Sequence, residues 1–211
     1  MLSFPFLARS PSTEPHPPAK VKYHYQDPLV VEKLSEALQE YLLRLNPPPA
    51  RPLVVVGIGT DRSTGDSLGP LVGSKLAAFP DLPAAVYGTL EDPVHASNLK
   101  EKLELITATF GNPFIMAIDA CLGHSENVGN ITLAPGALKP GAGVNKNLPA
   151  VGDLHFTGIV NVGGYMEYFV LQNTRLSLVM RMADQIAMAI YRGIRRRHGL
   201  EDDLPAAQGF Q

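Results

Sequence analysis

The sequence predicts a single α/β domain: a three-layer sandwich with a largely parallel sheet, of the phosphorylase/hydrolase-like kind. Three observations predict it. The first is Leu53 to Ile58, an apolar, mostly β-branched run broken only by Gly57 and followed by Gly59, which suits a strand buried on both faces. The second is the alternation of such runs with stretches of helical period, the mark of right-handed crossovers in a parallel sheet. The third is length: 211 residues suffice for one sizeable core.

In chain order, Asp27 to Leu45 reads as a helix, with Val30, Leu34, Ala37, Leu38, Tyr41 and Leu45 on one face, Asp27 as cap and Pro28 at its start. Asn46 to Pro49 ends it, and the strand at Leu53 follows. Ser67 to Phe79 is the next helix; with Ser67 at its N-cap, Pro70 falls at the third helical position, where no intrahelical bond is lost. Ala84 to Tyr87 reads as a short strand and Ser97 to Thr109 as a helix. Phe114 to Ile118 resumes a buried strand that ends at Asp119, and Asn130 to Leu133 and Leu154 to Val162 supply two more. A long amphipathic helix closes the domain, with Leu176, Val179, Met180, Ala183, Ala187, Ile190 and Ile194 on its apolar face. Its arginine-rich end, Arg192 to Arg197, reads as a solvated helix terminus.

Five prolines among residues 1–26 predict a flexible N-terminal tail, leaving residues 27–199 as the domain and 200–211 as a second tail. The near balance of 18 basic and 20 acidic side chains gives no reason to expect a nucleic-acid partner. No apolar run reaches the roughly 18 residues of a membrane span, so no membrane partner is expected. MLSFPFLAR lacks the basic-then-apolar order of a secretory signal. The single cysteine, Cys121, rules out an intrachain disulfide. The long apolar helix leaves a homodimer possible, and burial within one subunit explains it equally well.

Ligands in open α/β sheets gather beyond the carboxyl ends of the strands. Two carboxylates, Asp66 and Asp119, are expected there, in neighbouring strand-end loops. Adjacent strands lie about 4.8 Å apart, so such residues can share a site. Mutual repulsion can keep one protonated while the other is ionised, the arrangement that activates water and protonates a leaving amine. With a third ligand the same pair could bind a metal. Capping and turn stabilisation remain the plain alternative. Gly57, Gly59, Gly65 and Gly69 permit close backbone approach around Asp66, outside the register of a dinucleotide fingerprint. Ser63, Thr64 and Ser67 read as loop and cap residues, since no GxSxG elbow is present.

Asp66 in TGDSLGP, Asp119 in AIDACLG and the following NVGNITLAPGALKPGAGVNKNLP resemble blocks of the germination protease of endospore-forming bacteria. More closely, Leu29 to Gly193 resembles the small sporulation family called spore protease YyaC, of DUF1256 type. The resemblance implies a fold shared with hydrogenase maturation endopeptidases. It also implies an atypical aspartic peptidase site at Asp66 and Asp119, without metal or organic cofactor, acting on a protein or peptide substrate. A cytoplasmic setting, in the forespore or spore interior, goes with it. Asn145 and Lys146, in a glycine-rich polar loop, are candidates for substrate binding or charge stabilisation, with His124 and Asn161 as further candidates. His95 and His155 are weaker ones. The competing expectation is a noncatalytic sporulation protein that keeps the peptidase fold as a binding surface.

Overall fold

The computed structural model describes residues 18–141 and 148–200. Its strands are β1 (Val21–His24), β2 (Leu53–Gly57), β3 (Ala85–Tyr87), β4 (Phe114–Gly123), β5 (Asn130–Pro135) and β6 (Leu154–Val162). Its helices are α1 (Val30–Leu45), α2 (Leu68–Ala77), α3 (Leu99–Phe110), α4 (Glu167–Gln172) and α5 (Leu176–Arg197). The strands form a six-stranded sheet in the order β1-β5-β6-β4-β2-β3. β6, β4, β2 and β3 run parallel, while β5 pairs antiparallel with both β6 and β1.

Strand pleating divides the core into two layers. Val55 of β2 and Met116 and Ile118 of β4 face a cluster with α1, α2 and α5. Val54 and Val56 face the other way, against Leu99 and Ile106 of α3. Every residue of β2 is buried, as its unbroken apolar run requires. Helices therefore cover both faces, and the three-layer, mainly parallel expectation holds.

Several local expectations change. Val21–His24 falls within the stretch read as tail, yet it pairs with Ile131 and its neighbours in β5. Its prolines lie upstream, and an edge strand needs only one partner. α1 begins at Val30 rather than Asp27; the Asp27 carboxylate accepts the Leu29 amide at 2.9 Å just before the helix. The Ser67 hydroxyl donates to the Thr64 carbonyl at 2.7 Å instead of capping α2.

The apolar face of α5 is buried within the chain, against α1 and α2, so the pattern that suggested pairing across a symmetry axis is already used. Nor is its basic end simply solvated. Arg192 and Arg196 reach Glu32 on α1 at 3.6 and 2.8 Å, Arg195 pairs with Asp81, and Arg197 donates to the Asn46 carbonyl. These contacts fasten the end of α5 to the layer beside it. Among the described residues, no helix is long and apolar enough to cross a membrane.

Candidate active site

β2 sits between β4 and β3, so the crossover through α2 goes one way along the sheet and the crossover through α3 returns past β2 to β4. A crevice opens at such a reversal, outside the carboxyl ends of the two central strands. Both aspartates line one cleft of about 600 Å³.

Their settings differ. Asp66 lies in the 3-10 turn Gly65–Ser67 that leads into α2, partly exposed, and its carbonyl accepts the Thr60 amide at 3.0 Å. That contact folds the loop back on itself. A Cβ at Gly59, where φ is +143°, would stand 2.0 Å from the Asp66 carbonyl oxygen, so only glycine permits the approach.

Asp119 is placed otherwise than expected. It does not follow its strand but sits within β4, which continues to Gly123 in register with β6, Asp119 opposite Thr157. β2 stops at Gly57, opposite Ile118, one residue short of Asp119. The Asp119 carboxylate lines the cleft just past the point where β2 ends. Asp119 is only 7% exposed. Burial, reinforced by the nearby charge of Asp66, pushes its carboxyl well above the usual carboxylate range, against an opposing bond from the Ala120 amide.

Cys121 lines the same cleft. Burial and the charge of Asp119 push its thiol up to about 11, so at neutral pH it is a thiol and a poor nucleophile. His95 also reaches the lining, though the sequence ranks it low. The other candidates are not brought in. His124 is exposed beyond the end of β4, outside the cleft lining. The Asn161 carboxamide is occupied structurally: it donates to the Val170 carbonyl and the Thr174 hydroxyl at 3.3 and 3.2 Å and accepts the Val162 amide at 2.8 Å. It holds the segment after β6 in place. His155 bonds the Gly136 carbonyl at 2.8 Å, away from the cleft. Asn145 and Lys146 lie outside the described residues.

One wall has no counterpart in the sequence reading. α4 contributes Glu167, Tyr168 and Leu171. Tyr165, Tyr168 and Phe169 are 85%, 68% and 56% exposed, an unusual concentration of accessible aromatic surface. The signal was the run YMEYF directly after Gly164; a helix of six residues with no buried member gives no periodicity to detect. The lining also includes Arg62 and Ser63. The Ser63 hydroxyl is buried and has no hydrogen-bond partner among the described residues. An unpaired buried hydroxyl costs about 1–3 kcal/mol, so Ser63→Ala is expected to raise the melting temperature. A calorimetric scan that finds it lowered refutes this. Among the described residues, no group of three or more His, Cys, Asp or Glu side chains is placed to hold a metal ion.

A family model described as "Protein of unknown function (DUF1256)" matches residues 22–189. The chain belongs to the DUF1256 family. The resemblance of Leu29 to Gly193 to a family of DUF1256 type is therefore borne out. The Uncharacterized protein YyaC of Bacillus subtilis strain 168 is 63% identical over 137 residues, covering 65% of this chain and 67% of that protein. Among solved structures, the [NiFe] hydrogenase maturation protease HycI of Thermococcus kodakarensis KOD1 aligns over 73% of this chain and 98% of its own. That alignment has 16% identity and a TM-score of 0.44.

Proposed function

We propose that this DUF1256 protein is a sporulation-associated aspartic-type endopeptidase with a phosphorylase/hydrolase-like fold, acting in the cytoplasm of the forespore or spore on a small protein substrate. The observation that carries the proposal is the pair of unlike carboxylates in one cleft: a buried Asp119 whose proton is held to higher pH, beside a more accessible Asp66.

In this reading Asp66, ionised, is the base. It accepts a proton from water as the water oxygen attacks the scissile carbonyl carbon, while Asp119 donates its proton to the carbonyl oxygen to give a gem-diol. Collapse of the gem-diol breaks the C–N bond. The proton held by Asp66 passes to the leaving nitrogen, and a diol hydroxyl proton returns to Asp119. Both carboxylates then stand as they began. No step needs a metal. The Cys121 thiol is a bystander in this scheme, because its proton is held too tightly for it to compete as nucleophile.

The test is cleavage of a broad peptide library by the purified protein, with and without chelator, alongside Asp66→Asn. Cleavage that survives chelator and falls about 10²–10⁴-fold in the variant is expected, the range for losing a positioned acid or base. Parent-level cleavage by Asp66→Asn would remove Asp66 from the mechanism. A folded parent that cleaves nothing in the library would favour the alternative, a binding protein that retains the cleft and its exposed α4 wall without hydrolysis.

A further inference from the structure

A second cavity, of about 460 Å³, lies away from the cleft where the turn after β1 meets the start of α5. Its wall is rich in hydrogen-bond donors. Arg175 and Arg181 line it together with Ser177 and Gln26, and no acidic residue is among the lining residues. An arginine can only donate and is charged at every physiological pH, so two of them on one cavity call for an acceptor-rich, negatively charged occupant.

Five arginines elsewhere in the fold have acidic partners. Arg51 pairs with Asp153, Arg44 with Glu40, and three arginines at the far end of α5 with Glu32 or Asp81. Among the described residues, no acidic side chain pairs with Arg175 or Arg181. His24 adds no further reach into the cavity. Its Nε2 meets the Val128 carbonyl at 3.1 Å and its Nδ1 meets the Gln26 amide at 3.3 Å, so the ring is spent on holding the turn. The remaining wall, Tyr25, Val128 and Leu178, is an apolar and aromatic surface beside the two guanidinium groups.

We propose that this cavity binds a small organic phosphate monoester, with the phosphate held by Arg175 and Arg181 and the organic part against Tyr25 and Leu178. A guanidinium matches phosphate oxygens two at a time, which favours phosphate over a single point charge. The volume exceeds what a bare inorganic anion fills, and the apolar wall gives the rest of the ligand a surface to cover. Nothing in this assignment depends on hydrolysis in the cleft.

The test is isothermal titration of the full chain with inorganic phosphate and with phenyl phosphate at fixed ionic strength. The parent is expected to bind both saturably, phenyl phosphate the tighter. Arg175→Gln combined with Arg181→Gln is expected to weaken both at least about tenfold. Both side chains are exposed, so the double variant should fold; an unchanged circular-dichroism melt checks that. Absence of saturable binding to the parent overturns the proposal. So does equal binding by the folded double variant, or equal affinity for the two probes, which would leave the apolar wall without a role.

Discussion

Asp119→Asn is expected to make the protein less active and more stable at once. Activity falls because an amide cannot deliver the proton that the proposed scheme takes from Asp119, a loss of about 10²–10⁴-fold in kcat. Stability rises for a separate reason. Burial and the Asp66 charge raise the Asp119 pKa in the folded state above its ordinary value of 3.8. The folded chain therefore holds a proton that the unfolded chain releases. Stability is fully present below about pH 3.8 and is lost as pH rises, by a factor of about ten in the folding equilibrium per pH unit, until the folded pKa is passed. Asparagine occupies the same space without a charge to suppress, so it escapes that loss. Urea melts of parent and variant across pH 3 to 8 check this. The two should coincide near pH 3, and the variant should gain on the parent as pH rises. A variant less stable than the parent at pH 7 would mean that the carboxyl makes contacts whose loss outweighs the charge it must suppress.

Those opposed signs separate a site carboxylate from a capping one. An aspartate kept for turn stabilisation lowers stability when neutralised. The sequence left both readings of Asp119 open, and the reason lies in what decides between them. LVVVGIG, the helix at Leu176 and the strand Leu154–Val162 were legible because their apolar period is local. The placement of Asp119 depends on two strands distant in sequence: β6, which keeps β4 extended to Gly123, and β2, which stops early. Read alone, an aspartate after five apolar residues marks a strand end.

Nonlocal partners explain the other departures. Asn161 has the residue type of a substrate ligand, and only the position of Val170 and Thr174 reveals that its carboxamide is occupied. β1 has no pattern of its own strong enough to stand out from the proline-rich stretch before it, and takes its form from β5. α4 folds over the strand ends without burying a residue, so its position shows only in three dimensions. The glycines near Asp66 were readable as points of close approach, yet which backbone approaches which was not.

Gly69→Ala is the second large effect expected, and it tests that approach directly. A Cβ on Gly69 would stand 2.2 Å from the Ile58 carbonyl oxygen and 2.5 Å from the Ile58 nitrogen. From the other side, a Cβ on Gly57 would stand 2.3 Å from the Gly69 carbonyl oxygen. The first turn of α2 thus lies on the backbone at the end of β2, with no side chain between that could turn aside. Backbone on both sides puts the cost at the upper end of overpacking, about 3 kcal/mol, or roughly 6–12 °C in Tm for a domain of this size. Gly136→Ala is the control: its φ is +90° but the space around it is open, so only backbone strain of about 1–2 kcal/mol is expected. Thermal melts of the two variants decide the matter, and a Gly69→Ala protein melting within 2 °C of the parent would sink the argument. The consequence for the site follows from connectivity. Asp66 lies in the turn joining β2 to α2, so whatever lifts α2 from the strand moves Asp66 relative to Asp119, which β6 holds in place. A Gly69→Ala protein that still folds is therefore expected to lose the upward push on the Asp119 pKa that comes from Asp66, while keeping the larger one that comes from burial.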